Sequence, residues 1–140
     1  MQAKSCLTLK NYIIKTMNFS VNPDFKFGEN KIININPEFK REITKIDDNT
    51  AAVNLFFRIS EEETDMPFYM FVDIEGIFHL ENWEQPEYLR LMKSNTIAIL
   101  FPYLRTLVST MTANANISPY VLPVMNIAAL FDQNSEEEKG

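Results

Sequence analysis

Histidine and cysteine, which often act as general base and nucleophile in active sites, each occur once in this sequence. Any Cys–His or Ser–His pair would have to use the single histidine, His79, and one histidine cannot build a histidine-rich metal site. His79 follows apolar residues at the end of a predicted strand, where we interpret it as structural. The single cysteine, Cys6, lies on a strand near the N-terminus, where we interpret it as a small apolar filler.

Carboxylates and glycines give no stronger signal for an active site. The acidic residues cluster at 61–65 and 136–138, in a turn and a tail, without the apolar surroundings that raise the pKa of a carboxyl group. The chain has 3 glycines, no glycine-rich phosphate loop and no G-x-S-x-G string. The sequence therefore predicts no catalytic residues, no bound metal and no cofactor.

Composition predicts one soluble domain in the cytoplasm. The chain has 140 residues, 46% of them hydrophobic, a net charge of −6 and a pI of about 4.8. An acidic surface argues against nucleic acid and anionic membranes as partners. One cysteine excludes an intrachain disulfide, the N-terminus shows no signal peptide, and no apolar run approaches the roughly 18 residues of a membrane span.

Four segments show the alternation of β-strands: residues 6–21, 38–46, 50–60 and 66–74. Four strands with three reversals and no helix between them predict an antiparallel sheet. In the first strand we expect Ile14 and Tyr12 on the polar face and these residues on the apolar face: Leu7, Leu9, Ile13, Met17, Phe19 and Val21. Its length predicts an edge that pairs across a subunit boundary, because long exposed edges aggregate.

The sheet is followed by helices that must pack on it. A short helix is predicted over 86–93, a long one over 95–112 capped by Ser94 or Asn95, and a last one over 127–133. Arg105 is the only charge between residues 96 and 131, so the long helix is apolar or uncharged on more than one side. One side can pack on the sheet and the other on a second subunit. Pro102 predicts a kink or a late start of regular helix.

These elements predict an α+β fold: a four-stranded antiparallel sheet with a long helix and a shorter C-terminal helix packed on one face. Residues 1–131 form the single domain, and we expect the acidic tail 132–140 to be disordered. Two apolar loops, 22–37 and 117–125, are expected to lie close together beside the long helix. A groove built from them would bind extended apolar segments by burial of side chains.

The C-terminal half also carries a family resemblance. The strings Ile99-Leu100-Phe101-Pro102-Tyr103-x-Arg105, Leu122-Pro123, Asn126 and Ala129-Leu130-Phe131 resemble the SecB family of preprotein chaperones, and so does Gly76-Ile77-Phe78 at the end of the last strand. Before Gly76 the resemblance depends on Pro37-Glu38 and the strand pattern. It covers most of the chain.

The resemblance implies an ATP-independent holdase that keeps unfolded proteins from folding or aggregating. It also implies a homotetramer, a dimer of dimers with the long helices between two sheets, and a client groove at the crossover loop 22–37. We expect the following residues to contact the unfolded client: Phe25, Phe27, Ile35, Ile117, Tyr120, Leu122, Met125 and Phe131. We expect Ile99, Tyr103, Thr106 and Thr110 to contact another subunit.

The departures from the family bear on which partner receives the client. Secretion members present acidic residues on strands one and four to the SecA motor, whereas the corresponding positions here are Thr16, Ser20 and Phe71. The tail has no basic or metal-binding cluster. SecA therefore remains a possible partner whose docking positions are not matched, and a chaperone that protects the antitoxin of a toxin–antitoxin pair is the alternative. Two further alternatives are a small apolar-ligand binding protein and a purely structural oligomer.

Overall fold

Four antiparallel strands form one sheet in the computed structural model of the protein, which describes residues 7–25, 37–59 and 66–116. The strands are β1 (Thr8–Val21), β2 (Glu38–Asp47), β3 (Thr50–Ile59) and β4 (Phe68–His79). Their order across the sheet is β1-β4-β3-β2. The predicted antiparallel sheet is confirmed, and β4 extends beyond the predicted end at residue 74.

The strand order places the first two strands of the chain at opposite edges of the sheet. β2, β3 and β4 follow one another as neighbours, whereas β1 pairs with β4. The segment between β1 and β2 must therefore connect one edge to the other. This agrees with the crossover loop that the family resemblance implies at 22–37.

Two irregularities in β1 correct the predicted faces of this strand. The pairing with β4 shifts between Leu9 and Asn11 and again between Ile14 and Thr16. Each shift moves the following residues to the other face of the sheet. Ile14 therefore pairs with the buried Ile74 and packs against the core, whereas Ile13 pairs with Glu75 and is 55% exposed. The predictions for Ile13 and Ile14 were wrong because strict alternation does not include bulges.

The core lies between one face of the sheet and the long helix. Alternate residues of β3 and β4 are buried on that face because the period of a strand is two residues, and the matching stripe of the helix covers them. The largest fully buried side chains are Phe57, Phe78, Leu55, Ile59, Ile74, Leu80, Met92, Ile97, Leu100, Leu104 and Val53. This agrees with the alternation predicted for residues 50–60 and 66–74.

The helices form one continuous stretch rather than two capped pieces. Helix α1 (Pro86–Arg90) leads through a π-helical turn (Leu91–Asn95) into helix α2 (Thr96–Asn114). The predicted cap at Ser94 or Asn95 is wrong: Asn95 has helical dihedrals and makes no capping hydrogen bond, and Ser94 is buried. α2 continues through Pro102, whose ring lies on the exposed side.

The ends of this helical stretch agree with the sequence signals. Pro86 and Glu87 occupy the first turn of α1. Asn116, just beyond the end of α2, has a φ of 63°, a left-handed conformation that asparagine tolerates. The stretch Pro86–Asn114 is long and apolar enough to cross a membrane, by length and composition alone. Core helices of soluble proteins pass the same test, and one stripe of α2 is buried in the core of this chain.

Several predicted features lie outside the described residues. They are Cys6, most of the loop 22–37, the acidic turn 61–65, the loop 117–125, the helix 127–133 and the tail 132–140.

Candidate functional site

The middle of helix α2 lies over the sheet and reaches both edge strands. Leu100 lies over Gly76 on β4, where a Cβ added to the glycine would approach the Leu100 Cδ2 atom to 2.9 Å. The ring of Phe101 contacts Phe39 on β2, with centroids 6.1 Å apart, and the ring of Tyr103 contacts Tyr12 on β1, with centroids 4.4 Å apart.

A hydrogen bond joins β2 to the helical stretch before α2. The guanidinium of Arg41 on β2 donates to the carbonyl of Lys93 at 2.9 Å.

The face of α2 turned away from the sheet carries no exposed charge. Ala98, Pro102, Tyr103, Thr106 and Thr110 are exposed on this side. Three of the four predicted subunit contacts, Tyr103, Thr106 and Thr110, therefore lie together on an exposed surface. The fourth, Ile99, is half-buried and packs against the core of its own chain.

Edge strand β1 extends this uncharged surface. Tyr12, Ile13, Met17 and Val21 are 40%, 55%, 53% and 37% exposed. Tyr12, Met17 and Val21 lie on the side of the sheet that α2 covers and, with Tyr103, Thr106 and Thr110 of α2, are called here the β1–α2 surface. Ile13, which pairs with Glu75, is exposed on the opposite side of β1. Sequence reasoning missed the contact of Tyr12 with Tyr103, because the bulge at Lys10 turns Tyr12 from the predicted polar face toward the helix.

The start of the predicted client groove is anchored to the start of β4. The backbone N–H of Asn22 donates to the carbonyl of Pro67 at 2.9 Å, and its side-chain amide donates to the carbonyl of Met66 at 3.0 Å. The backbone N–H groups of Asp24 and Phe25 then bond to oxygens of Asn22. This tight turn fixes where the crossover segment leaves the sheet.

Phe25 is the only predicted client contact among the described residues, and its side chain is 8% exposed. Its ring is thus buried within this part of the chain. The other predicted client contacts lie outside the described residues: Phe27, Ile35, Ile117, Tyr120, Leu122, Met125 and Phe131.

The face of the sheet opposite α2 brings together Thr16, Ser20 and Phe71, the positions that the family resemblance matches to the SecA-docking acids of secretion members. Thr16 pairs with Asp73, Ser20 pairs with Tyr69, and Phe71 lies between them on β4. The ring of Phe71 stacks on Phe56 of β3 with centroids 6.2 Å apart. We call this surface the open face of the sheet.

Polar contacts join the turn between β2 and β3 to the segment just before α1. The indole N–H of the buried Trp83 donates to the carbonyl of Asp47 at 3.1 Å. Lys45 contacts Glu84 at 2.6 Å and Asp48 at 3.2 Å, and the hydrogen bond to Glu84 is the main cause of the raised pKa of Lys45. The backbone N–H of Asn49 lowers the pKa of Asp47. These charges have structural partners, so they give no sign of a reactive group.

No group of three or more His, Cys, Asp or Glu residues in the described ranges 7–25, 37–59 and 66–116 could hold a metal ion. His79 lies half-buried on the open face of β4. The space between α2 and the sheet is occupied by fully buried side chains, including Ile97, Leu100 and Leu104.

Sequence comparison places the chain among SecB proteins. The family model described as "Preprotein translocase subunit SecB" matches residues 1–138. An uncharacterised protein of Methanocaldococcus jannaschii is 33% identical over 97% of this chain and 88% of its own length. The protein-export protein SecB of Azoarcus sp. is 27% identical over 99% of this chain and 93% of its own length.

Solved structures share the fold at low sequence identity. The SecB-like chaperone Rv1957 of Mycobacterium tuberculosis, in complex with a ChAD peptide from the Rv1956 HigA1 antitoxin, matches with a TM-score of 0.67 and 12% identity. The match covers 85% of this chain and 90% of that one. A protein of unknown function from Streptococcus agalactiae matches with a TM-score of 0.54 and 16% identity over 87% of this chain and all of its own.

The antiparallel sheet, the helix that crosses it and the matched sequence over nearly the whole chain agree with one another. The chain belongs to the SecB family.

Proposed function

We propose that this protein is an ATP-independent holdase: it binds extended apolar segments of unfolded proteins and keeps them from folding or aggregating until a partner takes them. The observation that carries this proposal is the match of residues 1–138 to the SecB family. The fold supports it, since a structural neighbour is a SecB-like chaperone that was solved with a peptide from an antitoxin. No enzymatic activity is part of the proposal.

The client groove would be formed by the crossover segment that starts at Asn22 and by the loop after α2. Burial of each Leu- or Phe-sized client side chain contributes on the order of 1.5–3 kcal/mol. Many such shallow contacts hold a client without selecting one sequence. The predicted contacts in 27–35 and 117–131 would form the walls of the groove, and Phe25, which is 8% exposed in the single chain, would contact a client only where those walls open.

The working form would be a homotetramer, a dimer of dimers in the cytoplasm. The β1–α2 surface supports this part of the proposal, because Tyr12, Met17 and Tyr103 are exposed in the single chain, and Ile13 is exposed on the other side of the same edge strand. One pairing would join two β1 edges, and the other would bury the uncharged faces of α2 between two sheets. Both would remove apolar area from water.

A chaperone of a toxin–antitoxin system is the second candidate. The M. tuberculosis structure contains an antitoxin peptide, and that observation favours a dedicated client. The open face also favours it, since Thr16, Ser20 and Phe71 stand where secretion members carry acidic residues for SecA. Sedimentation of the purified chain with SecA separates the two candidates: a complex with a dissociation constant near 1 μM would favour the export route.

The first experiment is light scattering from a chemically unfolded, aggregation-prone protein diluted into buffer without nucleotide. Suppression of scattering at a near-stoichiometric ratio of tetramer to client is expected. A folded oligomer that leaves the scattering unchanged would contradict the proposal. In that case stoichiometric binding of one apolar compound would identify a ligand-binding protein. A protein that binds neither an unfolded client nor an apolar compound would be a structural oligomer.

Two variants locate the groove. Phe27→Asp and Leu122→Asp each place a charge in the predicted walls and should weaken client binding about tenfold or more, since a lost apolar contact of this size is at least 1.4 kcal/mol. Ile46→Asp is the matched control, because Ile46 is an exposed apolar residue on β2, 53% accessible and far along the chain from both loops. If correctly assembled variants of Phe27 and Leu122 hold clients as well as the control does, the groove lies elsewhere.

A further inference from the structure

The open face of the sheet has a shallow concavity with an aromatic floor. Its volume is about 350 Å³, and it is lined by Glu38, Lys40, Glu42, Phe56, Arg58 and Phe71. Phe56 and Phe71 are half-buried, stand on neighbouring strands and stack with an interplanar angle of 26°. The two stacked rings form an apolar surface on which one side chain of a partner could pack.

Two cations border this floor without an ion pair in the described part of the chain. Lys40 pairs with Phe56 across β2 and β3, and Arg58 pairs with Phe71 across β3 and β4. The Arg58 guanidinium lies 5.5 Å from the centre of the Phe71 ring, which holds the group over the floor. Its fork of N–H donors suits a carboxylate.

Other charges in the centre of the open face already have partners. Lys15 lies 3.5 Å from Glu75, and the carboxylate of Asp73 accepts a hydrogen bond of 2.8 Å from Asn54. Glu38 and Glu42 stand on either side of Lys40 along β2, and Glu38 pairs with Arg58 across β2 and β3. The two carboxylates would repel a segment with several acids, so the concavity suits a segment with a single one.

We propose that this concavity binds an extended segment of a partner protein that places an aromatic or aliphatic side chain on Phe56 and Phe71 and one carboxylate against Arg58 and Lys40. In an extended segment, side chains two residues apart point to the same side about 7 Å apart, which is also the spacing of Phe56 and Arg58 along β3. A segment of the pattern apolar–x–acidic fits both groups at once. The site requires no client in the groove and goes beyond the holdase proposal.

The location of the concavity leaves it available to such a partner. α2 packs on the opposite face of the sheet, so subunit contacts made through α2 would leave the open face outside. Phe71 is also one of the positions where secretion members carry an acid for SecA. An aromatic ring beside an arginine there reverses the chemistry, because it attracts a carboxylate where the acid would attract a basic segment.

The test measures binding of short peptides by chemical-shift perturbation in the full-length protein. The probe is acetyl-Gly-Ser-Phe-Ser-Asp-Ser-Gly-amide, compared with peptides that carry Lys or Asn in place of Asp. A fourth peptide places Phe and Asp next to each other, so that they point to opposite sides. The Asp probe should bind about fivefold more tightly than the Asn peptide, as expected for one exposed charge contact, and the Lys and adjacent-residue peptides should bind more weakly still.

Two variants with the same change of charge complete the test. Arg58→Glu reverses the charge of one of the two cations of the concavity and should abolish the preference for the Asp probe. Arg90→Glu on α1 is the matched control and should retain it. Binding of the Lys peptide at least as tight as that of the Asp probe, an unchanged preference in Arg58→Glu, or no measurable binding of any peptide overturns the proposal. None of these outcomes depends on client binding, so the holdase proposal is judged separately.

Discussion

The two edges of the sheet are built from different residues. β2, at one edge, carries a charge at six of its ten positions: Glu38, Lys40, Arg41, Glu42, Lys45 and Asp47. β1, at the other edge, is longer, with 14 residues, and carries two lysines. Apart from these lysines, its exposed large side chains are apolar or aromatic: Tyr12, Ile13, Met17 and Val21. Charged side chains protect an edge strand from pairing with another chain, so the composition of β2 is that of an edge exposed to solvent.

Both charged residues of β1 lie at irregularities in its pairing with β4. Lys10 and Lys15 are the residues that the pairing with β4 skips, so each lysine lies at a bulge. A bulge with a lysine interrupts regular pairing along an edge. Between and beyond these interruptions lie uncharged segments, 11–14 and 16–21. The comparison indicates that β1 is limited to a few pairing registers while its apolar side chains favour coverage by a partner.

The largest effect should come from charging the β1 edge. The double variant Ile13→Glu and Met17→Glu removes two side chains that are 55% and 53% exposed in the single chain. If a subunit covers them, the association free energy should fall by about 1.5–3 kcal/mol for each chain that carries the change, since about half of each side chain is left to bury and full burial contributes about 1.5–3 kcal/mol. Sedimentation velocity should then show smaller species than the parent at the same concentration.

The control for this prediction lies on the opposite edge. Ile46 on β2 is 53% exposed, the same as Met17, so Ile46→Glu makes the same chemical change at an edge that should stay in water. Its sedimentation should equal that of the parent. Dissociation caused equally by Ile46→Glu, or an intact assembly in the double variant, would show that the two edges do not differ in function.

The sequence predicted the elements of these edges better than their details. Period-two alternation was sufficient for four strands, and the two-sided apolarity of residues 96–114 was sufficient for a helix over the sheet. The bulges at Lys10 and Lys15 could not be read in this way, because a bulge changes the pairing and not the residue types. The faces of Tyr12, Ile13 and Ile14 were wrong for that reason.

The candidate site was less predictable than the fold. The expected break before α2 was wrong because a capping residue such as Asn95 also fits inside a helix, and the π-helical turn with its contact from Arg41 has no periodic signature. Likewise, Lys40, Phe56 and Phe71 are far apart in sequence and meet through the register of three strands. Only the strand register shows which of them are neighbours.

A second prediction concerns the side of the sheet where α2 meets β1. Gly76 pairs with Tyr12, and a Cβ at Gly76 would approach Phe78 Cε2 to 2.7 Å and Leu100 Cδ2 to 2.9 Å. Gly76→Ala should therefore lower the free energy of unfolding by about 1–3 kcal/mol, the usual cost of overpacking a core. In a strand without such contacts the same change is favourable by about 0.4–1 kcal/mol, so the sign is informative.

Urea denaturation followed by circular dichroism measures this change. Thr44→Ala is the control on the β2 side, because Thr44 is exposed on the open face, and it should shift the unfolding free energy by no more than about 0.5 kcal/mol. A Gly76→Ala protein that is more stable than the parent would mean that Leu100 and Phe78 move aside at no cost. The close approach of α2 on this side would then not depend on glycine.

The smallest effect concerns the ring pair that joins β1 to α2. Tyr12 and Tyr103 are 40% and 41% exposed, with ring centroids 4.4 Å apart, so each ring contacts the other and still faces outward. A double-mutant cycle with Tyr12→Ala and Tyr103→Ala should give a coupling of about 0.5–1.5 kcal/mol in the free energy of unfolding.

The same cycle in the dissociated Ile13→Glu, Met17→Glu background separates two roles of the ring pair, because only the contact within one chain contributes there. A larger coupling in the assembled parent would place the pair inside a subunit contact, whereas equal couplings would mean that it serves only to hold α2 on its own β1. No coupling in either background would contradict a stabilising role of the pair and would leave the apolar side chains of β1 as the feature that distinguishes the two edges.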